Sequence, residues 1–564
     1  MLAAIRELRA SFGIDARRID SVGCLLTDGP FRSVEELVSL TGTSRRTVEA
    51  VLRAAEPQLE SSDGRVRICG PHAPAYAEEF SCGQNPPVHD PWDEMAGRDP
   101  AALAEMARLI ERGPAARRDL DQLPATALTV LKRGHYLLRS FDLRGAHVLC
   151  MGDHDLTSLG LFLAGGAAGL RVSVADIDES LLEYIGTEAG RRGFGIRSYF
   201  ADLRLGLPAA LHGSSQLIFT DPPYTPEGVH LFVTRGLQAL ADQRNGRVVV
   251  AYGFGERQPA LGLAVQETLS PLHLAYEAVL PAFNRYAGAQ AIGSTAALYL
   301  LRPTGRSGSA ARASADRLRP ELYTRGAQSV ESEARELDPE AAAAILALAS
   351  PGDSPLLVGG GWPADAGGPR LPLASFMAAP LPRGLQDHQE AMVISLYPGF
   401  GSLVLRALLA ASARRVAVVC RNDVPELRTA AGQRALAQLI GPKYRITRLL
   451  RSTPGPDLAV ILAEQAPAAG LTAADQVAAF IYGRSHGKLG NAWREGLISL
   501  WKSSGQMLTK RDARRAIESA WPGADAFDHS LLDLPRHLFP ALLEAIGRSV
   551  RACAADVTAG GDLP

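Results

Sequence analysis

Two stretches hold residue types that could do chemistry together. Thr220-Asp221-Pro222-Pro223-Tyr224-Thr225 follows a short apolar run, Leu217-Ile218-Phe219. Its two prolines fix φ and carry no N–H, so the corner is rigid and its carbonyls are free to accept hydrogen bonds. Such a corner can seat an amine. The Pro222 carbonyl can align the lone pair, and Tyr224 can pack over a cationic carbon or a sulfonium. Upstream, Met151-Gly152-Asp153-His154-Asp155 puts acids where a nucleotide-binding fold usually offers backbone amides to a carboxylate. These acids would repel a carboxylate and attract an ammonium. Amines of polyamine type have pKa values of roughly 10, so an amine nucleophile must first lose a proton to a nearby base. Asp153, Asp155 and Asp221 can supply both attraction and proton acceptance, and the His154 imidazole can act as a base near neutral pH. Asp155 alone could instead cap the helix that follows. The chemistry implied is attack by an amine on a nucleoside-sulfonium donor.

The elements that must position these residues are read from the pattern of apolar runs. Strands are expected at 146–151, 170–175, 196–200, 217–220 and 246–251, with helices at 156–168, 179–190 and 227–243. Strands alternating with helices predict a doubly wound parallel sheet, whose ligands bind at the carboxyl ends of the strands. Asp176 and Asp178 close the second strand, where an acid can accept ribose hydroxyls, although Asp178 also suits a helix cap. Asp202 follows the third and could accept an adenine amino group. With Gly152 and the Asp-Pro-Pro-Tyr corner, this is the arrangement of a class I S-adenosylmethionine-type, Rossmann-like domain over 143–305.

Residues 1–70 predict a winged-helix-like domain. Ser33 with Glu36 forms a capping-box pattern, a second helix starts near Ser44, and Ser61-Ser62-Asp63-Gly64 turns between two strands. Arg45 and Arg46 could face DNA, but so few basic residues favour a protein contact. Residues 71–142 read as a proline-containing linker, including 82–87, and a helical cover with helices near 100–113 and 119–140. There Asp121, Gln122, Thr126, Lys132 and Arg133 could cover a site or form a solvated helix face, and composition favours the face. From 320 to 564 the pattern predicts a second, degenerate Rossmann-like domain with a helical tail. Tyr397-Pro398-Gly399-Phe400-Gly401-Ser402 resembles a nucleotide-fold turn, but no acidic run follows Leu396, and Ala463-Glu464-Gln465 stands where the corner would be. A scaffold or dimer role is expected. The basic segment 483–488 reads as a solvated connection.

The 564 residues allow two or three domains. A net charge of −1 favours neither nucleic acid nor an anionic membrane. Cys24, Cys69, Cys82, Cys150, Cys420 and Cys553 form no C-x-x-C pair and are expected to be free thiols of a cytoplasmic protein, without a metal site. The first residues resemble neither a signal peptide nor a membrane span.

Gly152-Asp153-His154-Asp155-Leu156-Thr157-Ser158, Asp176-Ile177-Asp178-Glu179 and Phe219-Thr220-Asp221-Pro222-Pro223-Tyr224-Thr225, in this order and spacing, resemble branched-chain polyamine synthases. Asp121-Gln122 and Thr126 also fit. The resemblance covers about residues 1–300. It implies transfer of an aminopropyl group from decarboxylated S-adenosylmethionine to a secondary amine of spermidine, with release of methylthioadenosine. It also implies that the acidic run binds and deprotonates the acceptor. The family pattern is Gly-Asp-Asp-Asp, its middle aspartate implicated in catalysis, and His154 stands at that position. The acceptor could therefore be another amine, a peptide or a small metabolite. Two other readings are an S-adenosylmethionine-dependent amino-methyltransferase, acting on nucleic acid or a small amine, and an inactive scaffold. The acids at 153 and 155 argue against the first, and the intact motifs disfavour the second. A homodimer is expected.

Overall fold

The computed structural model describes residues 2–83, 90–255, 258–287, 294–315, 336–350, 354–388, 390–467, 469–521 and 527–559. Part of the proline-containing linker (84–87) and the expected boundary at 320 lie outside the described residues.

Near the N-terminus, the Ser33 hydroxyl accepts the Glu36 N–H and the Glu36 carboxylate accepts the Ser33 N–H, which starts the helix Val34–Thr41. The helix Arg45–Ala55 follows, capped by Ser44. An antiparallel ribbon of β1 (Leu59–Ser62) and β2 (Arg65–Ile68) comes next. The Arg45 guanidinium is engaged by Glu35 and Glu49, at 3.0 and 2.8 Å.

The expectation of six free thiols is corrected here, because Cys24 and Cys82 form a disulfide across 58 residues. The cause is a close helix contact that sequence spacing conceals. Phe80 lies so near Gly23 that a Cβ there would meet its ring at 2.3 Å, which brings the chain after Ala73–Glu79 onto the helix Arg17–Thr27. Cysteine usage therefore carries no statement about compartment.

The first large sheet contains the five expected strands, β3 (His147–Met151), β4 (Arg171–Asp176), β5 (Ile196–Phe200), β6 (Leu217–Thr220) and β7 (Arg247–Tyr252). Two more follow, β8 (Leu274–Arg285) and β9 (Thr295–Pro303), in the order β5-β4-β3-β6-β7-β9-β8. The sheet is not wholly parallel, since β9 runs antiparallel to both β7 and β8. Register shifts at Tyr276/Ala278 and Leu280/Asn284 break the alternation that would have revealed β8. Alternate residues face opposite layers. Val148 and Cys150 join the core under the helices Ala127–Ser140, Thr157–Leu163 and Glu179–Arg192, whereas Leu149 and Met151 join that under Pro226–Ala239 and Pro259–Leu269.

The second sheet holds β10 (Leu356–Val358), β11 (Arg370–Leu371), β12 (Ala391–Ser395), β13 (Arg415–Arg421), β14 (Tyr444–Arg451) and β15 (Leu458–Gln465), ordered β11-β10-β12-β13-β15-β14. Both sheets end alike, with the last strand in sequence inserted antiparallel between its predecessor and the parallel strands. The tail is helical as expected. Its basic segment is not wholly solvated, because Ser485 is buried and His486 Nε2 donates to the Phe376 carbonyl, 3.0 Å away.

Candidate active site

The ends of three adjacent strands, β4, β3 and β6, the end of β8 and one helix converge on the acids. Gly152, at the end of β3, has φ +67°, a left-handed conformation that glycine adopts without a steric cost. Its N–H donates to the Ala175 carbonyl at 3.1 Å, and the next N–H, that of Asp153, donates to Asp176 Oδ2 at 3.1 Å. Leu156 is also left-handed, at φ +60°, which costs a branched residue on the order of 1–3 kcal/mol and is a mark of functional loops. Two buried carboxylates flank this turn and do different things. Asp153 accepts the Ser158 N–H at 3.2 Å, in the first turn of Thr157–Leu163. Asp155 does not cap that helix. Its oxygens accept instead from the Ala125 N–H at 2.9 Å and from Arg133 at 2.6 Å.

Arg133 is the residue that sequence reasoning placed on a solvated face, and the structure corrects this. Its side chain is 0% exposed. It sits on Ala127–Ser140, which approaches Thr157–Leu163 through Gly134 and Gly160. A Cβ on Gly134 would meet the Gly160 carbonyl oxygen at 2.7 Å, and one on Gly160 would meet Val130 at 2.4 Å. That close packing delivers the guanidinium into the acid cluster. Nε donates to Asn284 Oδ1 at 2.8 Å, one terminal nitrogen to Asp155 and to Thr157 Oγ1, and the other to Asp221 Oδ2 at 2.8 Å and to the Tyr286 hydroxyl at 3.0 Å. Lys132 is also buried, paired with Asp90 and Asp93. Asn284 and Tyr286 belong to the end of β8, a strand the sequence hid.

The corner after β6 is held by Thr220 Oγ1 donating to the Met151 carbonyl at 2.9 Å and by Thr225, which caps Pro226–Ala239. Asp221 accepts the Tyr286 hydroxyl at 2.6 Å as well as Arg133. The Tyr224 hydroxyl bonds that of Tyr286 at 3.0 Å, and its ring packs edge-on against Tyr252. Pro222 is buried in the same corner. His154 Nε2 lies 2.8 Å from the Leu123 carbonyl oxygen and 3.3 Å from Asp155 Oδ1. Asp176 accepts the N–H groups of Asp153 and Asp178. Asp178 caps Glu179–Arg192, as its alternative reading held, and also faces Gln122 at 3.5 Å. Asp202 stands apart from the cluster, its carboxylate gripped by Arg204 at 2.8 and 2.6 Å.

Burial dominates the electrostatics. It raises Asp153 to about 7, assisted by Asp155 and Asp176, and raises Asp176 to about 6. Asp221 is raised to about 7 by burial and by Asp155, against the opposing pull of Arg133. For Asp155 burial is outweighed by His154 and Arg133, and its carboxyl lies well below the usual range. Burial likewise opposes protonation of His154, but Asp155 and Asp221 outweigh it and raise its pKa.

A folded-state pKa raised above the unfolded value is a stability that is full below the unfolded pKa and lost as pH rises through the folded one. Asp153 thus becomes a growing cost from about pH 4 to about 7 and a constant one above that, until a ligand compensates. Asp153→Asn keeps the shape without the charge. Measured by chemical denaturation, the variant should gain stability relative to the ligand-free wild type as pH rises from about 5 to 7, at about 1.4 kcal/mol per pH unit near pH 5–6, and the gain should level off by about pH 8. A difference that does not change with pH would place the Asp153 carboxyl in the ordinary range.

Among the described residues no cluster of His, Cys, Asp and Glu could hold a metal ion, and no helix is long and apolar enough to cross a membrane. The first sheet, with these acids at its strand ends, is that of a Rossmann-like α/β protein.

Over residues 102–338 the chain matches the family described as the branched-chain polyamine synthase A C-terminal domain. It is 32% identical over 198 residues to an uncharacterized protein of Methanocaldococcus jannaschii, covering 35% of this chain and 48% of that one. It is 37% identical over 148 residues to an N(4)-bis(aminopropyl)spermidine synthase of Thermus thermophilus, covering 26% of this chain and 42% of that one. The chain thus spans about half or less of the length of these curated relatives. A crystal structure of the Thermus thermophilus branched-chain polyamine synthase, with N4-aminopropylspermidine and 5'-methylthioadenosine, aligns at 23% identity and a TM-score of 0.37. That alignment covers 54% of this chain and 92% of that one.

Proposed function

We propose that the chain is an aminopropyltransferase, moving an aminopropyl group from decarboxylated S-adenosylmethionine to an amine, spermidine or a related one, and releasing methylthioadenosine. One observation carries this reading. The loop after β3, which in a methyltransferase offers amides to the donor's carboxylate, has its Asp153 N–H taken by Asp176 and presents the Asp153 side chain beside Asp155 and Asp176. An ammonium fits there and a carboxylate does not.

In this mechanism Asp176 holds the donor's ribose, with Gly152 allowing close approach and Asp178 shaping the turn. The acceptor nitrogen lies against the Pro222 carbonyl, and Tyr224 packs over the sulfonium. The nitrogen lone pair forms a bond to the propyl carbon and the carbon–sulfur bond breaks. Its electrons stay on sulfur, which leaves as a neutral thioether. The proton lost from nitrogen goes to Asp153, whose pKa near 7 matches a base working near neutral pH. Arg133 partly neutralises Asp155 and Asp221, and His154 orders the 123–125 loop against Asp155. The winged-helix-like front, residues 1–70, walls the site rather than binding DNA. Ser294 Oγ donates to the Val38 carbonyl at 2.9 Å, which ties the module to the strand after Tyr286.

The test is mass spectrometry of a panel of amines incubated with either donor. The expected product carries an added aminopropyl group, appears only with the decarboxylated donor, and is accompanied by methylthioadenosine. Methyl addition from S-adenosylmethionine would replace this reading with a methyltransferase.

A further inference from the structure

The segment after residue 338 lies outside the family match, yet it closes one end of the site. The strand order β5-β4-β3 fixes how a nucleoside would lie. With the sulfonium near the ends of β3 and β6 and the ribose at Asp176 on β4, the base is carried outward to the end of β5, where Asp202 stands. The groups that meet it there come from the second sheet. Arg204, held by Asp202, donates to the Gly399 carbonyl at 3.1 Å and lies 4.1 Å from the centre of the Phe400 ring. Asp202 and Arg204 side chains are 3% and 4% exposed, so this pair is a buried strut and not a free anion for a base amino group. Phe400 is only half-buried.

The same end is clamped elsewhere. Arg406, 1% exposed, reaches Glu179, the residue after Asp178, and donates to the Leu532 and Leu534 carbonyls at 3.0 and 2.8 Å. The Arg536 N–H donates to the other Glu179 oxygen at 2.8 Å, and the Phe200 N–H at the tip of β5 donates to the Asp533 carbonyl at 2.9 Å. These contacts fix the turn 397–400 against β4 and β5 without using a residue of the acid cluster.

We propose that the second sheet builds the nucleobase wall of the donor site, with Phe400, fixed from behind by Arg204, presenting its ring to the purine. The degenerate turn has kept its place at a nucleotide while losing its own acids. The inference rests on the nucleoside-donor reading above, and its test separates the two. Methylthioadenosine binding is measured by calorimetry on the full chain, with wild type, Phe400→Ala, Phe400→Leu, Phe400→Trp and Asp176→Asn, each checked for an unchanged melting temperature.

Loss of base stacking should weaken Phe400→Ala about 10-fold or more, and Phe400→Leu nearly as much, while Phe400→Trp binds like wild type. Binding lost in Asp176→Asn but unchanged in the Phe400→Ala and Phe400→Leu variants would overturn the wall and leave the donor site standing. A wild type that does not bind methylthioadenosine would overturn both.

Discussion

Replacing Arg133 by methionine is expected to lower the unfolding free energy by about 3–5 kcal/mol, the cost of leaving a buried ion cluster without its opposite charge. Asp155 and Asp221 have side-chain exposures of 1% and 5%, and both accept from this one guanidinium. Without it neither carboxylate can stay ionised at neutral pH without a large desolvation cost. The effect must therefore depend on pH. In the variant Asp155 loses the pull that held it down and Asp221 rises further, so both take protons on folding and the deficit against wild type should shrink as pH falls from about 8 to about 5. Arg133→Lys keeps the charge but not the fork that spans Asn284, Asp155 and Asp221, and should recover part of the loss. Denaturant unfolding of the three proteins at both pH values decides this. A deficit under about 1 kcal/mol, or one that ignores pH, would show the cluster to be better solvated than its burial implies.

That arginine also shows where the sequence stopped being informative. The strands β3 to β7 were legible because apolar runs punctuated by acids or glycine admit few other readings, and the Asp-Pro-Pro-Tyr corner is rigid by its own covalent chemistry. The acids at 152–155 and 176–178 were legible for the same reason, since each closes such a run. Arg133 closes nothing. Its one signal was its place on the buried stripe, between Val130 and Leu137 at helical spacing, where a charge needs a partner that the sequence does not name. Asn284 and Tyr286 could not be found at all, because the register shifts of β8 erase the alternation that marks a strand.

The roles of Asp153 and Asp155 were partly interchanged for a related reason. Both precede a helix, and only the left-handed Leu156 decides which carboxylate meets that helix and which turns toward Arg133. Asp202 likewise had the right position for a nucleobase acid. Its partner, two residues on, makes it a strut toward a turn nearly two hundred residues away, a long-range contact that no local pattern encodes.

Asp153→Asn should abolish most transfer while leaving the donor site intact, and this separates the base from its neighbours. Four acids share the pocket with it, but their carboxylates are engaged. Asp155 and Asp221 hold Arg133, Asp176 accepts two backbone N–H groups, and Asp178 caps a helix. Asp153 has one backbone N–H, shared between its two oxygens, and a pKa placed near neutrality by burial. Asparagine can still accept from Ser158, so the loop should keep its shape. Loss of general-base catalysis is worth about 10²–10⁴-fold in rate. In the wild type kcat/KM should rise with pH and level off above about 7, where the carboxylate is ionised. In the variant the residual rate should climb with pH without that break, following hydroxide and the small fraction of free amine, while methylthioadenosine binds as tightly as before. A variant that keeps the break near 7 would assign it to Asp221, whose pKa is raised to the same region. Tyr286→Phe would then test that assignment. Removal of its hydrogen bond to Asp221 leaves the carboxylate less stabilised, and the break should move upward.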